Sequence, residues 1–145
     1  PYCQPCAKTH NLLDQLLDEN SNLQARIVFT ALNIDNDEIT SVARHMMALY
    51  ELPDKSIVKK AMNDWYNGKH KKYEIWAKQY PIELKEANFL KLDKQKTWCD
   101  TVEIKGTPTV LVNGHVLPPV YQLPDLKYMM GEPGAKAGHL NYNEN

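Results

Sequence analysis

The sequence has no apolar run near the roughly 18–20 residues that a membrane-spanning helix needs. Neither sign of charge prevails: 17 Lys and Arg face 18 Asp and Glu, for a formal net charge of −1. The basic run "KHKKYEIWAKQ" is local and offset elsewhere, so a nucleic-acid partner has no electrostatic support. Cysteine is scarce, with three residues, too few for a disulfide framework. The chain lacks an initiator methionine and a leader-like segment, so it reads as a processed or trimmed piece of a longer protein. No internal repeat is present.

What remains is the composition of an ordinary soluble globular domain. Hydrophobic residues make up 43% and charged residues 24% of 145 residues, a length suited to one core. The chain opens "PYCQPCAKTH", which places two of its three cysteines, Cys3 and Cys6, within six residues of the start. Three readings compete for this pair: a redox dithiol, half of a metal site, or two ordinary thiols. A close pair plus a remote Cys99 favours reactivity over stapling.

Leu12, Leu13, Leu16 and Leu17 follow the helical period, so the motif opens a helix that fades near residues 20–22. "ARIVFTALNI" (Ala25–Ile34) is β-branched and apolar and predicts a buried strand. From Asp35 to about Thr101 the pattern is helical throughout. Asn36 or Asp37 caps a helix with Ile39, Val42, Ala43, Met46 and Tyr50 on one face. Ile57, Val58, Ala61, Met62 and Trp65 mark a second helix, and Tyr73, Trp76, Ala77 and Tyr80 a third. After Pro81 a last helix runs from about Leu84 to Cys99. In "GTPTVLVNGHVL", Val110–Val112 and His115–Leu117 flank Asn113-Gly114, a dipeptide suited to the type I′ turn of a hairpin. "LPDLKYMM" allows a short closing helix, and the Gly- and Asn-rich residues 131–145 predict a flexible tail.

A Cys-x-x-Cys at a helix start holds its sulfurs about one turn apart. The first thiol faces the unpaired N–H groups and positive dipole of the helix, which favour thiolate and lower its pKa from about 8.5. Cys3 is then the attacking nucleophile and Cys6 the resolving thiol. Pro5 suits a first helical turn, where its missing N–H costs nothing. His10 shares the helical face of the pair and could tune the dithiol, ligate a metal or simply pack. Thr107-Pro108 lies where the chain enters the hairpin. A cis bond there would tighten the turn and leave the Thr107 backbone free to pair with an extended substrate.

Together these residues resemble the thioredoxin superfamily, an α/β fold. The long insertion, about residues 36–101, is similar to the DsbA-like branch. "PYCQPCAKTH" and "WCDTVEIKGTPTVLVNGHVLP" resemble thioredoxin-like domains of envelope thiol oxidoreductases in Bacteroidetes-type bacteria. Some of those are fused to membrane domains like vitamin K epoxide reductase. The resemblance covers residues 1–130. It implies a thiol–disulfide oxidoreductase or isomerase, with Cys3 and Cys6 catalytic and Pro108 in a cis-Pro loop facing them. Thr107, Gln4 and Pro5 would bind substrate. It further implies protein or peptide thiols and disulfides as partners, a membrane redox partner of the epoxide reductase type, a periplasmic or envelope location, and no cofactor.

Departures from the family pattern matter. The dipeptide is Gln4-Pro5 where DsbA has Pro-His. Tyr2 stands where a tryptophan is usual, and no buried acid is evident. The strand that normally leads into the CxxC is missing ahead of Pro1, so an exposed sheet edge could pair copies of the chain. Cys99, nine residues before Pro108, reads as a small buried hydrophobe. Two alternatives come from other classes. One is a zinc module using Cys3, Cys6, His10 and Cys99; the other is a non-catalytic thioredoxin-like interaction domain. A peroxidase fits the spacing less well.

Overall fold

A computed structural model describes residues 1–69 and 71–129. The predicted tail, residues 131–145, lies outside the described residues. The described residues divide into two compact units, one of Pro1–Cys3 with Val28–Lys105, the other of Gln4–Ile27 with residues 106–129.

The first unit is helical. It holds α2 (Glu38–Tyr50), α3 (Lys55–Asn67), α4 (Tyr73–Gln79) and α5 (Glu86–Thr101), which fill the predicted insertion. Helix α2 is central and touches the other three. Asp37 is its N-cap, and the carboxylate accepts the Thr40 N–H at 2.7 Å, meeting a backbone donor that the helix leaves unpaired. Val42, Ala43 and Met46 are buried as their spacing predicts. Ile39 and Tyr50 are not: they sit at the two ends of α2 and are 42% and 52% exposed. The periodicity holds through the middle of the helix and fails at its two ends. Asp54 caps α3 in the same manner, accepting the Ser56 N–H at 2.9 Å. Val58, Ala61, Met62 and Trp65 line its buried face.

A buried histidine joins α2 to α4. His45 Nε2 lies 2.6 Å from the Tyr80 carbonyl oxygen, so it donates there, and Nδ1 lies 3.2 Å from the Tyr73 hydroxyl, which donates to it. This assigns the neutral Nε2–H tautomer. The ring packs on Trp76 with centroids 4.8 Å apart. Trp76 in turn donates its indole N–H to the Ala61 carbonyl at 2.9 Å, fastening α4 to α3.

The predicted strand Ala25–Ile34 is not a paired strand. The segment is without regular secondary structure, and its burial alternates: Phe29 and Ala31 are buried, whereas Thr30 and Leu32 are exposed. Strand composition calls for a ladder neighbour, and among the described residues none pairs with it. A side chain stands in. The Gln95 carbonyl oxygen accepts the Phe29 N–H at 2.8 Å, while its amide points to the Met47 sulfur at 3.4 Å. At the end of the segment Asn33 and Asn36 adopt positive φ, 57° and 62°, which asparagine tolerates. Arg44 holds this turn, donating to Asn33 Oδ1 at 2.8 Å and to Asp35 at 2.7 Å while its guanidinium covers the Phe89 ring.

The second unit contains α1 (Gln4–Glu19), the hairpin β1 (Leu111–Val112) and β2 (His115–Val116), a 3-10 turn (Leu123–Asp125) and α6 (Leu126–Met129). Asn113 and Gly114 take φ of 51° and 82°, the type I′ turn that the sequence predicts. Leu111 pairs with Val116 and Val112 with His115. The Leu117 N–H extends the ladder to the Val110 carbonyl at 2.8 Å. Leu16, Leu23, Leu123 and Leu126 form the buried centre, with Leu12, Leu13, Leu17, Val110, Val112 and Leu117 packed around it. No helix among the described residues is long and apolar enough to cross a membrane.

The end of α5 generates a stability prediction. The Ile104 N–H reaches the Cys99 carbonyl at 2.9 Å and the Glu103 N–H reaches the Asp100 carbonyl at 3.2 Å. This is a Schellman closure, whose left-handed position usually belongs to glycine. Here Glu103 occupies it with φ 55° and an exposed side chain. Glu103→Gly removes the Cβ strain and is expected to raise stability by about 0.5–1 kcal/mol, after the greater flexibility of glycine in the unfolded chain is subtracted. Denaturant melts of the two proteins check it.

His45 generates a second. Burial lowers its pKa below the ordinary 6.5, opposed in part by the hydrogen bond to Tyr80. The unfolded chain therefore takes up this proton at a higher pH than the fold does. Stability from this site is full above the unfolded pKa and is lost as pH falls from there through the folded pKa. Thermal melts should show a lower melting temperature at about pH 5 than at about pH 7.5. His45→Gln should flatten that part of the decline.

Candidate functional site

The dithiol sits where the sequence places it. Helix α1 begins at Gln4, so Cys3 is the residue before its first turn and Cys6 lies within that turn. The two cysteines are disulfide-bonded, and Cys99 is free and buried. Cys3 and Cys6 are both half-buried, while Gln4 and Pro5 between them are exposed. The local cause is plain. A proline in the first turn leaves no unmet N–H and fixes φ for a helix, which keeps the two cysteine backbones one turn apart.

The residues ahead of Cys3 are held by the helical unit. The Pro1 carbonyl accepts the Trp65 indole N–H at 2.9 Å and faces Lys71 Nζ at 3.5 Å. Tyr2 meets the Trp65 ring edge-on, with centroids 5.3 Å apart and planes at 89°. Trp65 is itself 1% exposed and packs edge-on against Trp76. The Tyr2 hydroxyl is sealed from solvent and makes no hydrogen bond of acceptable geometry. Burial, with the Glu38 carboxylate next in importance, pushes its pKa up to about 12. Glu38 acts on it as a neighbouring charge. Sequence reasoning missed this arrangement. Trp65 reads as one more apolar position on α3, and Lys71 as one of a run of surface lysines. No local signal marks either as a neighbour of a residue more than sixty positions earlier.

The Thr107–Pro108 peptide is cis, the isomer that the sequence reading expects. Both residues are exposed, and the turn is fastened just after them, where the Thr109 hydroxyl donates to the Gly106 carbonyl at 2.6 Å. The loop belongs to the same unit as α1. His10 is buried on α1, 8% exposed.

Cys99 lies in the last turn of α5, 4% exposed. Burial first, and the Asp100 charge second, push its thiol pKa up, so it is held as the unreactive thiol. Among the described residues no three His, Cys, Asp or Glu side chains converge as metal ligands. The proposed zinc set of Cys3, Cys6, His10 and Cys99 is thus not assembled.

No family model, curated protein or solved structure matches this chain.

After reduction, alkylation should discriminate among the three thiols. Thiolate is the reactive form; burial raises the Cys99 pKa, while Cys3 stands at a helix start and is only half-buried. Timed labelling with a bulky maleimide and peptide mapping should find Cys3 modified first, and Cys99 modified only on denaturation. Early labelling of Cys99 or Cys6 would reverse the assignment.

Proposed function

We propose that this chain is a thiol–disulfide oxidoreductase of the thioredoxin-like class, exchanging protein or peptide disulfides through Cys3 and Cys6. The single observation that carries the reading is the Cys3–Cys6 disulfide at the start of α1. Thr107 and Pro108 are exposed in the loop that leads into the hairpin, which is where the resemblance puts the substrate-pairing loop.

In the reducing direction the Cys3 thiolate attacks a substrate disulfide. A bond forms between Cys3 Sγ and one substrate sulfur, and the other substrate sulfur leaves as thiolate. The Cys6 thiolate then attacks Cys3 Sγ, closing the intramolecular disulfide and releasing the second substrate thiolate. Two electrons pass to the substrate, and the two protons of the dithiol end on its thiols. In the oxidising direction the same steps run backwards from the disulfide. Gln4 and Pro5 flank the exchanging sulfurs and would meet the substrate chain, with Thr107 and Pro108 as the backbone-pairing loop. His10 is the candidate for tuning the pair from within α1. An envelope location and a membrane redox partner of the vitamin K epoxide reductase type belong to this proposal through the resemblance alone.

Gln4 is neutral and Pro5 has no donor, so the dipeptide supplies no extra stabilisation of a Cys3 thiolate. The expected potential therefore lies nearer thioredoxin than DsbA, between about −200 and −270 mV. Equilibration with glutathione, together with turnover of a disulfide-bonded peptide, tests the proposal. A value above about −150 mV would replace reduction or isomerisation with oxidation as the favoured direction. Absence of exchange in a folded, reduced sample would leave a non-catalytic domain.

A further inference from the structure

We propose that Asn113 is a site of spontaneous modification: the hairpin turn converts by deamidation into aspartate and isoaspartate, and the isoaspartate form breaks the hairpin. This chemistry is independent of the redox reading.

Deamidation proceeds by attack of the following backbone nitrogen on the asparagine side chain. That nitrogen must approach Cγ without a side chain in the way, must stand outside a hydrogen-bonded ladder, and must be reached by water. Gly114 follows Asn113, and a Cβ placed on it would meet nothing within 4 Å. The ladder pairs Leu111 with Val116 and Val112 with His115, which leaves the amides of both turn residues outside it. Asn113 and Gly114 are both exposed. Asn113 sits at φ 51°, and closing the imide ring requires its backbone to leave that turn. The strands are two residues each, so the opening needed is the Val112–His115 pair at the tip, a local event at the low end of the stability range.

The Gly114 nitrogen gives up its proton and bonds to Asn113 Cγ; the Cγ–Nδ2 bond breaks, and ammonia leaves with the proton. One water then opens the cyclic imide. Cleavage between the nitrogen and Cγ gives aspartate on the original main chain. Cleavage at the main-chain carbonyl gives isoaspartate, in which the chain runs on through Cβ and Cγ and is one atom longer. No oxidant or reductant takes part. A lengthened turn cannot keep the two-residue geometry on which the strand register rests. Val110, Val112 and Leu117 pack against the leucine centre of the same unit, so losing the register also loses burial.

The chain carries an internal comparison. Asn67-Gly68 is the same dipeptide, but Asn67 is the last residue of α3 and Gly68 its C-cap. A Cβ on Gly68 would lie 2.9 Å from the Asp64 carbonyl oxygen, and Trp65 and Tyr66 just before it are buried. Rotation there has to unwind a packed helix end.

For the test, the full chain is incubated in mildly alkaline buffer, folded and in guanidinium, and its peptides are mapped over time for amide-to-acid conversion. Denatured, the two sites should convert at similar rates. Folding should slow Asn113 by less than about tenfold and Asn67 by more than that, following the different costs of opening. In water enriched in heavy oxygen each product should carry one heavy atom. Faster conversion of Asn67 than of Asn113 in the folded chain overturns the proposal, as does equal protection of the two. The isoaspartate form, separated by chromatography, should melt below the parent, whereas Asn113→Asp should melt close to it. Equal melting of all three overturns the breaking of the hairpin.

Discussion

The hydrogen bond from His45 to the Tyr80 carbonyl carries more of the helical unit than its length suggests. It closes the C-terminal end of α4 against α2 in a place where water cannot substitute. It also fixes the imidazole as a neutral acceptor for Tyr73. With the ring in place, Trp76 has a wall to pack on, and its N–H reaches α3. Trp65 then has Trp76 to lean against and can extend its own N–H to the residues before Cys3. Each step satisfies a polar atom that burial would otherwise penalise. The aromatic centre of the helical unit is thus a chain of contacts from His45 on α2 to the Pro1 carbonyl.

A CxxC at a helix start brings the thiols within bonding range by itself, but it does not restrain the chain on the N-terminal side of the first cysteine. Here that restraint comes from α3, with a buried indole as donor. The same anchor explains why Pro1–Cys3 belong to the helical unit although α1 belongs to the other.

Much of this was legible in the sequence wherever the cause is local. The Asn113-Gly114 turn, the Asp37 cap, the apolar face of α3 and the start of α1 each follow from a few neighbouring residues, and each is found. By composition Ala25–Ile34 predicts a buried strand. Its composition is right for an extended chain, but pairing depends on a neighbour that composition cannot see, and Gln95 meets one of its backbone donors instead. Ile39 and Tyr50 fit the period yet miss the core, because periodicity carries no information about which turns of a helix its neighbours cover. Trp65 and the carbonyl of Pro1 meet only through tertiary structure. Glu103 in a left-handed closure was invisible for the opposite reason: the residue usually found there would have announced it.

The burial of Cys99 at the end of α5 bears on bookkeeping of a chemical kind. Three thiols in one chain allow three different internal bridges, and an oxidising environment samples whichever pairs can touch. With one thiol walled off and its pKa raised, only one pairing remains open to exchange. A bridge from Cys99 to either of the other two cysteines would first have to open the end of α5, so the Cys3–Cys6 pairing is protected from scrambling.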